Sequence, residues 1–190
     1  MFDWSPIRVA SMQLLCDCRG VAAIEFAFIA GFLTLAVVNV SDISIYIYQR
    51  MEVENAAQIG TMSAVKTCIP LSTAQQTQPP ALPATLNCAG LNAAVTAAIQ
   101  STSLGNKIAL SGTGISEGYY CVNSSNTLQK VELVSNPPPP DCSKAGMASL
   151  QPADYLMVSV AFNYAPLFGG ISVAGLFANP INKTAMVRMI

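Results

Sequence analysis

Residues 21–40, VAAIEFAFIAGFLTLAVVNV, form an apolar run whose only charge is Glu25. As a helix the run rises roughly 30 Å, the thickness of a hydrocarbon core. A run this long needs either lipid around it or a deep protein interior. The rest of the chain argues for lipid. With 190 residues it has room for one modest domain beside the helix. Only 10% of residues are charged, against about 25% in an ordinary soluble chain. The segment is therefore read as a membrane-spanning helix over about 21–40.

Glu25 then needs a reason. A carboxylate at the centre of a membrane helix costs about 2.5–3.5 kcal/mol on insertion scales. Near a helix N-terminus the macrodipole offsets part of that cost, and a side chain one turn in can reach the interface. A cationic partner would offset more. What precedes the run does not resemble a secretory signal, because a polar stretch of 20 residues ending in Arg19-Gly20 comes first. A lipoprotein signal also fails: Cys16 and Cys18 precede the apolar stretch instead of following it.

Beyond the membrane segment the helix is expected to continue to about residue 67, since Pro70 is the first proline after it. Tyr46 and Tyr48 suit the headgroup level, although the Ile-Tyr alternation there also fits a short strand. Ala56, Gly60 and Ala64 recur every four residues, a stripe of small side chains that lets another backbone approach closely. Residues 70–87, rich in Pro, Gln and Thr, read as a polar linker. Leu91, Val95 and Ile99 predict an amphipathic helix over 89–101.

From residue 107 the period changes to two. KIALSG (107–112) and EGYYCVN (117–123) read as separate strands around Thr113-Gly114. TLQKVELV (127–134) reads as a strand of clean alternation, DYLMVSVAFNY (154–164) as the strongest strand, and TAMVRMI (184–190) as a final, edge strand. NPPPPD (136–141) reads as a surface loop, because proline has no N–H for a sheet ladder. The fold class is α+β: a long N-terminal helix, then a small disulfide-stapled domain with a second helix and an antiparallel sheet. The predicted division is 1–20, 21–67 and 68–190.

Cys68, Cys88, Cys121 and Cys142 lie beyond the membrane helix. Four cysteines in an exported domain allow three disulfide connectivities. Cys68–Cys88 with Cys121–Cys142 is favoured, because each bond closes a proline-containing loop. Each is worth about 3 kcal/mol in the chain-entropy model. Paired C-x-x-C spacing is missing, which argues against zinc. No metal and no cofactor is expected. Asp141 and Asp154 are too few for a calcium site and read as solvated turn residues. With no histidine and no G-x-S-x-G, a catalytic nucleophile is unsupported, and an enzyme is not expected. The absence of basic runs argues against nucleic acid. Tyr119-Tyr120 and the stretch from Tyr164 to Phe168 fit either an exposed adhesive patch or core packing and a turn.

Gly20, four residues, Glu25-Phe26 and an apolar helix together resemble the processing site of type IV prepilins and pseudopilins. The Glu-Phe pair, the small residues before it and ENAAQIG (54–60) are similar to the TadE-like pseudopilins of Tad/Flp (type IVb) pilus systems. DYLMVSVAFNYAPLF and TAMVRMI also resemble the end of that family. Val21 departs from the Phe or Met common after the glycine in type IVa pilins. The resemblance implies cleavage between Gly20 and Val21 by a prepilin peptidase on the cytoplasmic side, so residues 1–20 are a cytoplasmic leader. It also implies that the new Val21 amine pairs with a Glu25 carboxylate, within a chain or between neighbours, and that Phe26 belongs to the assembling face. The expected partners are the peptidase, other pilins and pseudopilins, and Tad assembly proteins of the bacterial inner membrane. The outer domain is then periplasmic. A type II secretion pseudopilin and an unprocessed, membrane-anchored binding protein or adhesin are the alternatives.

Overall fold

The computed structural model describes residues 19–69, 82–135 and 137–189. The leader expected over 1–18, with Cys16 and Cys18, lies outside these residues, as does 70–81 of the linker. Helix α1 runs unbroken from Arg19–Cys68, so the Ile-Tyr stretch is helical. Its most apolar 18-residue window has a mean hydropathy of 2.3, and none of that window is buried.

The chain divides into two units. In the first, the start of α1 up to Ser44 is accompanied by the loop Pro166–Gly175. The loop is held by polar side chains of the helix. The buried Asp42 accepts hydrogen bonds from the backbone N–H groups of Leu167 (3.1 Å) and Phe168 (3.2 Å). Asn39 accepts one from Val173 N–H at 2.8 Å.

In the second unit, the later part of α1 carries one buried face: Tyr46, Val53, Ala56, Ala57, Gly60 and Ala64. Two further helices follow, α2 (Ala84–Asn87) and α3 (Leu91–Gln100). The end of the presumed linker is thus helical. Helix α3 turns Leu91, Val95 and Ile99 inward, as their spacing of four requires. Strands β1 (Ile108–Val122), β2 (Leu128–Leu133), β3 (Ala153–Phe162) and β4 (Ile181–Arg188) form one antiparallel sheet of order β2-β1-β3-β4. Central strand β3 buries every second residue, and Leu156, Val158, Val160 and Phe162 supply its inner face.

Two strands depart from simple alternation. The two strands expected around Thr113-Gly114 are one strand, β1. Its pairing to β3 jumps between Leu110 and Ile115, where Gly112 and Gly114 take positive φ (59° and 65°). Glycine tolerates that conformation, so the chain bulges without ending the strand. Strand β2 is an edge strand. Tyr119 pairs with Glu132 but Tyr120 with Lys130, which leaves Val131 as an extra residue and breaks the expected two-sided pattern.

The stripe of small residues has a partner within the unit. A Cβ on Gly60 would stand 3.0 Å from Ile99 Cγ2, 3.1 Å from Val158 Cγ1 and 3.4 Å from Val95 Cγ1. Helix α1 therefore meets both α3 and β3 at a point where an added Cβ would be crowded. Tyr46 lies at the same kind of contact, not free at headgroup level. Its ring meets Tyr164 edge-on at 5.1 Å and Phe177 at 4.8 Å, and its hydroxyl donates to Ala178 O. Tyr48 remains exposed.

Two disulfides close the unit. Cys68, the last residue of α1, is bonded to Cys88 just after α2, and Cys121 of β1 is bonded to Cys142. NPPPPD does run as irregular chain over residues 137–141.

Gly60→Leu is expected to destabilise the folded chain by about 1–3 kcal/mol or more through overpacking. Gly31→Leu, on the same helix where an added Cβ meets nothing within 4 Å, should leave stability unchanged. Thermal unfolding of the detergent-solubilised chain followed by circular dichroism checks the contrast.

Candidate functional site

The residues expected to guide processing and assembly occupy the first two turns of α1. Gly20, Val21, Glu25 and Phe26 are all exposed, Phe26 to 72%. An added Cβ at Gly20 meets nothing within 4 Å among the described residues. Among the described residues Glu25 has no ion-pair partner. It stands on a helix surface otherwise made of Ile24, Phe28, Ile29 and Phe32, all exposed.

A second polar constellation lies in the second unit and was not anticipated. Glu117 of β1 and Asp154 of β3 are both buried. Tyr119 pairs with Asp154 and Glu117 with Leu156, so the two carboxyls share the inner face of neighbouring strands. Glu117 has a clear structural task. It accepts hydrogen bonds from Ala84 N–H (2.8 Å), Thr85 N–H (2.7 Å) and the Thr85 hydroxyl (2.5 Å). The residue before α2 is Pro83, which makes no side-chain cap. A carboxylate from the sheet thus satisfies the helix's orphan donors.

Asp154 is a correction to the expectation of a solvated turn residue. Burial, then the charge of Glu117 and a hydrogen bond to it, push its carboxyl up to about 7. Its Oδ1 has no hydrogen-bond partner. The group lines a cleft of about 330 Å³ with Tyr119, Ser135, Gln151 and Arg188. Charge on Glu117 and burial both disfavour the ionised form of Asp154, while the Glu117 oxygens accept the donors at the start of α2. Asp141 behaves as a turn residue. It accepts from Ser143 N–H at 2.9 Å, and that bonding holds its carboxyl below the usual range. Among the described residues no group of three or more potential ligands could hold a metal ion.

The tyrosine pair Tyr119-Tyr120 is core, with Tyr120 edge-on to Tyr155 at 5.5 Å. The second aromatic stretch divides: Tyr164 is buried, while Leu167 and Phe168 are exposed. A strand glutamate and a strand aspartate two residues out of register leave no local sequence signature. Only the β1–β3 pairing reveals them.

The raised Asp154 carboxyl fixes the sign of a pH effect. The unfolded chain loses this proton near pH 4, the folded one near pH 7. Between those values the folded state binds more protons, so stability falls as pH rises and then levels off. Asp154→Asn is expected to flatten that slope and to raise stability at pH 8. Urea unfolding at pH 4.5, 6 and 8 measures both.

The comparisons bear on the first constellation. Residues 20–61 match the family model described as TadE-like protein. The matched stretch contains Gly20, Val21, Glu25, Phe26, Ala56 and Gly60, while the sheet, including the C-terminal strands, lies outside it. No curated protein and no solved structure matches the chain. Over residues 20–61, about a fifth of its length, the chain is similar to TadE-like proteins, consistent with a TadE-like protein of the Tad pilus system.

Proposed function

We propose that the chain is a minor pseudopilin of a Tad/Flp pilus, a structural component and not a catalyst. In this reading the 21–40 segment anchors it in the inner membrane with the N-terminus cytoplasmic. A prepilin peptidase cuts after Gly20. The processed helix then associates laterally with the helices of other pilins, in contact with Tad assembly proteins, and the disulfide-stapled unit faces the periplasm. Adhesion and biofilm formation follow from assembly of the fibre.

The observation that carries the reading is Glu25, a carboxylate with no ion-pair partner among the described residues, on an exposed apolar helix within the TadE-like stretch. Cleavage creates an ammonium at Val21, about 6 Å up the helix axis from Glu25. In lipid each charge alone is costly; together they offset much of that cost. Contact with the Glu25 of a neighbouring subunit would also set axial register. The exposure of Phe26, Phe28 and Phe32 supports lateral packing on other helices. Arg19 and Gly20 form the first turn of α1. A peptidase needs this turn extended, and the glycine makes unwinding cheap, because Gly is about 1 kcal/mol less helix-favouring than Ala.

Intact mass of chain extracted from cells that express the peptidase should correspond to residues 21–190. Gly20→Leu should retain residues 1–20. Glu25→Ala should be cleaved yet fail to enter sheared fibres. A wild-type mass that still includes the leader would overturn the proposal.

A further inference from the structure

The loop Pro166–Gly175 carries no charged residue; between Asp154 and Lys183 the sequence has none. It reads PLFGGISVAG, and Leu167 (68%), Ile171 (58%), Val173 and Phe168 are exposed. We propose that this loop is an interfacial membrane anchor, inserted among the headgroups and upper acyl chains of the leaflet where α1 leaves the bilayer. The inference rests on the reading of 21–40 as a membrane span.

Two observations choose lipid as the occupant. The first is continuity. Asp42 and Asn39 fasten the loop beside the end of the apolar run at Val40, within the same unit. Asp42 is about 3 Å beyond Val40 along the helix axis. The loop's apolar side chains therefore stand at the level where the exposed apolar surface of the helix ends. The second is backbone satisfaction. Irregular backbone survives at membrane depth only if its polar groups are bonded within the protein. Six N–H groups of the loop are so bonded. Leu167 and Phe168 donate to Asp42, and Val173 donates to Asn39. Ile171 and Ser172 donate to Phe168 O, and Ala174 donates to Ser172 Oγ. A charge-free loop with outward apolar side chains and inward-bonded donors matches the interface of a bilayer. It fits water poorly.

The test uses the full chain, with Trp4→Phe to remove the native tryptophan, in phosphatidylethanolamine–phosphatidylglycerol vesicles containing brominated lipids. Single tryptophans are introduced as Leu167→Trp, Ile171→Trp and, in the middle of the span, Phe32→Trp. The expected result is blue-shifted emission from both loop variants, quenched best by bromines high on the acyl chain, with Phe32→Trp quenched best by deep bromines. If Phe32→Trp is quenched and the loop variants are not, the anchor is wrong while the span stands. Loop emission that is blue-shifted but unquenched by lipid means that protein covers the loop, for instance a second copy, and also overturns the proposal. If no position is quenched, the span itself is wrong and the anchor falls with it.

Discussion

The exposed apolar surface of residues 21–40 sets the terms for this protein. Phenylalanine, isoleucine, leucine and valine side chains point outward there with no cover from the fold. Burial of each such side chain is worth about 1.5–3 kcal/mol, so lipid or neighbouring helices must supply it. The same helix, from Tyr46 on, obeys the opposite rule. One face turns inward on α3 and the sheet, and polar residues such as Glu52, Glu54 and Lys66 sit on the remainder. A single unbroken helix is thus bare and apolar in one stretch and packed along one face in another.

Small residues act in two ways along that helix. Gly60 lets α1 close on Ile99, Val95 and Val158. A Cβ added at Gly20 or Gly31 would meet nothing within 4 Å among the described residues. Within the matched stretch, therefore, one glycine serves the interior of the second unit, and an added Cβ at the other two meets open space. The buried carboxyls divide similarly. Asp42 and Glu117 each bind two backbone N–H groups of a distant segment. Carboxylates suit this task because two oxygens accept several donors at once. Asp154 has no such donors on Oδ1, and burial raises its carboxyl to about 7.

Much of the architecture was legible from local period. The apolar run, the spacing of Leu91, Val95 and Ile99, and the alternation of 154–162 each record which side is buried, residue by residue. The bulges in β1 and β2 were not legible, because a bulge is a mismatch between two strands and neither strand carries it alone. Tyr46 was misplaced for a related reason. An aromatic just past a membrane segment suits headgroups, and only the return of Tyr164 and Phe177 makes it core.

By itself the sequence determined the class α+β, the membrane-length helix, the Gly20–Glu25–Phe26 spacing and the TadE-like stretch, since all of these reside in contiguous residues. Tertiary structure alone decided that Glu117 of the sheet caps α2 beside Asp154, and that Asp42 holds a loop 125 residues away. Those contacts arise from chain return across long separations. Local propensity carries no information about which distant donor a buried carboxylate will find.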